Sequence, residues 1–540
     1  MPTTPGRPTH LAGPTATLVA GAAVLLALVL VVYAAEGPRG TDQYWYIADV
    51  QTLAAGREPL SNTWFPMGLL RAEADATTYS APFYHNGPLL HLAAALERRL
   101  PIGTYAIWLT INALCLLITV WVVWQWLRRR VGLEVAGWTA AFAAIAPVTY
   151  WQIANVLRET WFGALSASAI ALFFFVPPRR RVLAEPALAF TLALGALAHP
   201  MFLILLVLLI GVRAYQWLRR RSAARLATIL PGLIAVLVVR SVAERWFPSS
   251  FQPDLTSIIV SAIPRGTNMA WHFSDVQATL DARFLTTKLV EALRQQFVRP
   301  SSALIYLPVN AALLAWVALM IVAAQRAWRE RTGPAPSGHS AIDDPQTRAI
   351  DTDQRGVPPL FTLMVLGTFL GLYTAIVWLQ QNHMRFQQLI APASFILIGH
   401  AMHAFVPRRA LVWLMTPLLV VCLIVSTLMA RQLLAESVTE ARDRDAVAAA
   451  LPELGAQDRV LFVDHKRHDP LSFLLRPTPA LFIRSSLISD ASAREAIARF
   501  DPSVLVTREP ALPYGLEGFE RTRTLHTDSF DTLVVWQPEG

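Results

Sequence analysis

Apolar runs of about 20 residues, the length that crosses a bilayer, recur along most of the chain with short polar stretches between them. The pattern predicts about eleven membrane spans, at approximately 15–35, 104–126, 133–150, 157–176, 186–198, 200–217, 226–243, 302–323, 357–379, 387–405 and 410–430. Arginine clusters test the count. Arg128-Arg129-Arg130, Arg179-Arg180-Arg181, Arg219-Arg220-Arg221, Arg326 to Arg331 and Arg408-Arg409 all fall in alternate loops. The positive-inside bias makes that side cytoplasmic, with the N-terminus inside and the C-terminus outside. The stretch 186–217 also reads as one span kinked at His199-Pro200. That reading puts Arg219 to Arg221 outside, so two helices are predicted there. The first apolar run is long for a cleaved signal peptide and its leader carries little charge, which favours a retained signal anchor.

Two outer loops are long, 36–103 and 244–301, and the second includes a helical stretch near 278–297 of the kind that lies in the membrane interface. The inner segment 329–356 has the composition of a disordered linker. From about 433 the period changes. Val460 to Val463, Ala480 to Ile483 and Ser503 to Val506 read as short buried strands, Ala491 to Phe500 as a helix, and Thr522 to Trp536 as a closing hairpin. The expected organisation is therefore a mainly α, polytopic membrane part over 1–432 and a small extracytoplasmic α/β domain over 433–540.

Composition agrees with this division. Of the 540 residues, 54% are hydrophobic and only 15% charged, which excludes an ordinary soluble protein. The formal charge of +9 lies in the short clusters between spans and forms no single patch, so no nucleic-acid partner is expected. Cys115 and Cys422 each sit inside an apolar run and read as packing residues, not as a disulfide or metal site.

Several chemistry-bearing residues reach the outer face from distant parts of the chain. Thr41-Asp42-Gln43-Tyr44-Trp45-Tyr46 follows the first span, and His85-Asn86 sits in the same loop. Asn155, Arg158 and Glu159 open the fourth span, His199 lies between spans five and six, and His383-Met384-Arg385 lies between spans nine and ten. Each has an ordinary structural reading: Asp42 as a cap of a helix over about 43–55, Arg158 as a snorkelling side chain, His199 as a turn residue, His85-Asn86 as loop capping. The Asp464-His465-Lys466-Arg467-His468-Asp469 run reads as a solvated turn. Ionisable groups at membrane depth are costly, however, and these gather on one face. Arg385 stands where a helix N-terminus and a planar fork of donors both favour a phosphate.

The motifs resemble those of the GT-C superfamily of integral membrane glycosyltransferases, which includes lipid A aminoarabinose transferases and protein O-mannosyltransferases. The matching residues are Asp42 with Tyr44 and Tyr46, Gly56-x-x-Pro59, Pro82-Phe83-Tyr84-x-x-Gly87-Pro88-Leu89, Asn155-x-x-x-Glu159, and Met384-Arg385-Phe386-x-x-x-Ile390-x-Pro392. They cover about the first 430 residues. The resemblance implies a GT-C-like helical bundle in a bacterial plasma (inner) membrane. It further implies transfer of a hexose or pentose from a polyprenyl-phosphate donor to a glycan, lipid or protein acceptor, with no cofactor beyond that lipid-linked co-substrate. Many relatives carry Asp-Glu or Asp-x-Asp where this chain has Asp42-Gln43-Tyr44, so no metal ligand set is assigned, although a divalent metal stays compatible.

Under this resemblance Asp42 is the expected general base and Glu159 a second catalytic acid that orients a hydroxyl. Arg385, His383 and Arg158 are expected to hold phosphate, and Tyr46, His85, Asn86 and His199 to line the substrate pocket. Three other classes stay open on the sequence. An O-antigen-type polymerase or ligase shares the span count and large outer loop but lacks an essential first-loop acid. A polysaccharide or lipid transporter (flippase) shows internal repeats and midplane polar groups. A membrane-anchored binding module would act through residues 433–540.

Overall fold

The computed structural model describes residues 41–57, 63–70, 88–100, 102–149, 159–174, 181–198, 202–220, 307–332, 388–455, 457–465, 473–476 and 478–539, with a few isolated positions besides. In chain order, α1 is Thr41–Ala54, β1 Thr63–Trp64, α2 Pro66–Leu70, α3 Pro88–Glu97, α4 Thr104–Arg130, α5 Leu133–Ile145 and α6 Glu159–Phe174. There follow α7 Arg181–Ala198, α8 Phe202–Arg220, α9 Leu307–Thr332, α10 Ala391–Phe405 and α11 Arg408–Ala450. The C-terminal part holds β2 Val460–Val463, β3 Ala480–Ile483, α12 Asp490–Phe500, β4 Val504–Thr507, β5 Phe519–Thr527 and β6 Asp531–Pro538.

Among the described residues, helices stand at eight of the predicted span positions. The positions 15–35, 226–243 and 357–379 lie outside the described residues, apart from Gly21, Val365, Gly367 and Thr368. Two helices, α4 and α11, are long and apolar enough by themselves to cross a bilayer, and six shorter ones are apolar. Their outward faces carry Trp413, Leu183 and Leu314 at 83%, 79% and 73% exposure. Large apolar side chains left bare on this scale fit a lipid solvent better than water.

The bundle packs through small residues. Gly132, at φ +109, sits between α4 and α5 in a backbone region that other residues rarely adopt, and lets the chain reverse within two residues. A Cβ on Gly399 of α10 would come within 2.5 Å of the Leu127 side chain of α4, so glycine there sets how closely the two helices approach. The α7–α8 pair settles the 186–217 question. Glu185 and Arg213 are 28 residues apart yet lie 2.6 Å from each other. A continuous helix would separate them by about 42 Å. The chain therefore turns back after Ala198, as the arginine pattern requires.

In the C-terminal part a six-stranded sheet runs in the order β1-β3-β2-β4-β6-β5, with β1 to β4 parallel and β6 and β5 antiparallel. Side chains alternate between its two faces. Val460, Phe462, Phe482 and Val504 pack with Val447 of α11 and with Leu471 and Leu475, while Leu461, Leu481 and Leu505 pack under Ala493, Ile497 and Phe500 of α12. Burial on both faces explains why these strands read as continuous apolar runs. The predicted strands, helix and closing hairpin are all present, each within three residues of its expected ends.

Two features extend the expectation. α11 runs unbroken through residue 432, where the composition changes, and β1 comes from the stretch 36–103 that the sequence predicts as an outer loop.

Of the Asp464 to Asp469 run, His465 departs from the expected solvated turn, while residues 466–469 lie outside the described residues. Asp464 takes a left-handed φ of 63 and its carboxylate accepts from the Ser485 backbone N–H and hydroxyl at 2.8 Å. His465 is buried, with its ring edge-on to Phe462 at 5.7 Å. Burial drives its pKa down from 6.5 to about 4, against a weaker opposing effect of a backbone hydrogen bond to Thr507. The folded value lies below the unfolded one. Stability is therefore intact above pH ~6.5 and lost as pH falls toward ~4, because only the unfolded chain takes up the proton; the loss is about 3 kcal/mol at most. Amide exchange of 460–463 and 504–507, corrected for intrinsic rates, is expected to speed up between pH 7 and 5 in the wild type. The change is expected to be flat in His465→Gln.

Candidate active site

The helix α1 begins at Thr41, so Asp42 stands inside its first turn instead of capping it from outside. Positions 42, 46 and 49 share one face of this helix by their spacing of four and three. Tyr46 is fully buried and stacks on Trp108 of α4 at 5.3 Å; Trp108 in turn stacks on Trp161 of α6 at 5.0 Å. The Trp161 indole N–H donates to the Asn112 side-chain carbonyl at 3.2 Å. This aromatic ladder ties the second turn of α1 to the first turn of α6, the helix that Glu159 opens. The two predicted acids are thus carried on helix starts held at the same end of the bundle. Glu159 falls at the N-terminus of a 16-residue helix.

The chain leading out of the predicted phosphate-binding segment reaches the same helix. Gln388, three residues beyond Arg385, is buried, and a Cβ on Gly163 would meet its Oε1 at 3.4 Å. Ser166 of α6 donates to the Leu389 carbonyl at 2.7 Å. Gly163 and Ser166 lie one and two turns past Glu159 on α6. Arg385, His383, Arg158, His85, Asn86 and His199 lie outside the described residues, as do the side chains of Asp42 and Glu159.

A second helix from the stretch 36–103, α3, packs along α1. Arg98, just after it, donates from Nε to the Ala54 carbonyl at 2.8 Å and also reaches the Leu53 carbonyl, which satisfies acceptors left open at the end of α1. On α3, burial, reinforced by Arg98, lowers the pKa of His91. His91 and the fully buried Asp49 are polar residues of this region that sequence reasoning missed. Asp49 was visible in principle as the residue seven after Asp42; His91 sits in an apolar helix with no motif around it. Gln388 was missed because it falls at an unspecified position of the Arg385 motif, at the start of what reads as the next span.

No family model and no curated protein matches this sequence. Solved structures do match. Crystal structures of ArnT from Cupriavidus metallidurans, in the apo state and bound to undecaprenyl phosphate, align with TM-scores of 0.56 and 0.54 at 13% identity. The alignments cover 97% of this chain and 98% of that one. The Archaeoglobus fulgidus oligosaccharyltransferase, in complex with Zn and sulfate, aligns with a TM-score of 0.51 at 11% identity, over 96% of this chain and 72% of that one. The chain has the GT-C fold. The likeness extends past the bundle, since coverage of 97% takes in the C-terminal sheet as well.

Proposed function

We propose that this protein is a membrane glycosyltransferase that moves a sugar from a polyprenyl-phosphate donor to an acceptor on the extracytoplasmic face. The observation that carries the reading is the match along nearly the whole chain to ArnT, a protein crystallised with undecaprenyl phosphate. The bare apolar faces of the helices and the shared location of the helix starts bearing Asp42 and Glu159 support it.

The chemistry asked of the site is modest. A sugar on a lipid phosphate is already activated, because the phosphate departs as a stabilised anion. The protein has to align an acceptor hydroxyl, remove its proton and neutralise charge on the leaving oxygen. Asp42 is the base: an ionised carboxylate suffices when the proton moves late in a displacement with oxocarbenium character. Arg385, with His383 and Arg158, holds the departing phosphate. Glu159 orients a hydroxyl, and Tyr46, His85, Asn86 and His199 form the sugar pocket. A single displacement inverts the anomeric centre. The acceptor is a glycan, lipid or protein, and the membrane is the plasma membrane, with the N-terminus inside and the sheet domain outside.

Mass spectrometry of lipid-linked sugars tests this reading. A strain lacking the protein is expected to accumulate one polyprenyl-phosphate sugar, and complementation with the wild type to remove it. The accumulated species names the donor. An unchanged pool would overturn the transferase reading in favour of a polymerase or a transporter.

A further inference from the structure

The helix that carries the proposed base is clasped by the C-terminal part of the chain along its length. Tyr44, two residues after Asp42, donates its hydroxyl to Glu440 Oε1 at 2.7 Å across 396 residues of sequence, and both side chains are buried. The Tyr44 ring leans on Phe473 at 5.3 Å. Two turns further along α1, the Thr52 hydroxyl accepts from Arg476 at 3.4 Å. Burial lowers the Arg476 guanidinium to about 10, still protonated at neutral pH. After α1 the loop continues as part of the sheet domain. Thr63 and Trp64 pair in parallel with Ala480 and Leu481, Trp64 meets Phe500 edge-on at 5.3 Å, and Arg499 donates to the Leu69 carbonyl at 3.3 Å.

We propose that Glu440 is a positioning residue for sugar transfer: through Tyr44 it fixes the rotation of α1 about its own axis, and with it the approach of Asp42. This rests on the transferase reading given above. Positions 42 and 44 lie about 200° apart around a helix, so a contact on the Tyr44 side sets the angle at which position 42 stands without occupying its face. The choice of groups fits positioning better than simple adhesion. An apolar pair of the same volume would hold two elements together at least as well as a buried carboxylate, whose desolvation is costly. A carboxylate acceptor adds a short, directional bond. Glu440 sits on α11, a single helix long and apolar enough to cross a bilayer. The reference frame for α1 is therefore the bundle itself, not a loop.

Glu440→Gln, Glu440→Leu and Tyr44→Phe separate the possibilities in single-turnover transfer assays on the full chain in nanodiscs, with a synthetic polyprenyl-phosphate sugar. Glu440→Leu and Tyr44→Phe are expected to lower kcat per folded molecule by about 10- to 100-fold with donor KM unchanged, the size that a misplacement of about 1 Å produces. Glu440→Gln still accepts from Tyr44 and is expected to keep activity within about threefold. The double variant Tyr44→Phe/Glu440→Leu is expected to be no worse than either single change. Hydrogen exchange over 43–54 is expected to rise in Glu440→Leu and not in Glu440→Gln. Unchanged kcat with a loss only of folded yield, or unchanged exchange of α1, would overturn the positioning role. Absence of any transfer by the wild type would instead overturn the transferase reading, and the catalytic consequence with it.

Discussion

Asp42→Asn is expected to slow sugar transfer by about two to four orders of magnitude, the range that a positioned general base supplies, while leaving donor binding and protein abundance near wild type. The substitution keeps shape and loses basicity. Asp42 lies in the first turn of α1, where a negative charge favours the helix dipole by only a few tenths to about 1 kcal/mol. A fold-level explanation of a large rate loss would therefore have little to draw on. The measurement is single-turnover transfer from a synthetic polyprenyl-phosphate sugar, with donor KM followed in parallel. A rise in KM at constant kcat would mean that Asp42 binds substrate uniformly and does not act in the transition state. Turnover within threefold of wild type would remove Asp42 from the base role. Asp49, two turns deeper on the same helix face and 1% exposed, would then be the next acid to test.

How far the sequence could be read depended on whether each feature was local. The strands β2, β3 and β4 were legible because burial on both faces makes them unbroken apolar runs between turn residues. The helix α12 was legible because its apolar positions recur at helical spacing after Ser489, whose hydroxyl caps the first turn by accepting from Ser492 N–H at 3.3 Å. β1 was not legible: two residues, Thr63 and Trp64, have no period, and only the exposed edge of β3 makes them a strand. The continuation of α11 beyond 432 was missed for a related reason. Residues 433–450 lose the uniform apolarity of a span, and their helical pattern of small and charged residues reads as a change of domain. Asp42, Glu159 and Tyr46 were named as candidates because motifs single them out. Trp108 and Trp161 sit in apolar helices and Gln388 in the short turn before α10, where nothing in the sequence distinguishes a spacer from a support. Tyr44 and Glu440 meet only in three dimensions, and no spacing in the chain announces the pair.

Arg213→Ala is expected to cost about 3–5 kcal/mol, the penalty for leaving the partner of a buried ion pair uncompensated. The Arg213 guanidinium lies 2.6 Å from Glu185 Oε1 and over the ring of Phe173 at 4.4 Å, and its side chain is only 10% exposed. It therefore joins α7, α8 and α6 at one point of the bundle. The stability loss should appear as a lower melting temperature and a smaller folded fraction in detergent. Glu185→Gln/Arg213→Met, which removes both charges and keeps volume, is expected to recover most of it, since the attraction of a buried pair is largely offset by its desolvation. The two variants together locate the pair relative to the membrane surface. Both residues lie toward the ends of their helices nearest the arginine clusters at 179–181 and 219–221, the predicted cytoplasmic side. If Arg213→Ala costs less than about 1 kcal/mol, Glu185 is hydrated and the pair belongs to the interface. A loss in the larger range, restored in the double variant, places it within the hydrocarbon, where it pins the hairpin that returns the chain after Ala198 and keeps every later span in register.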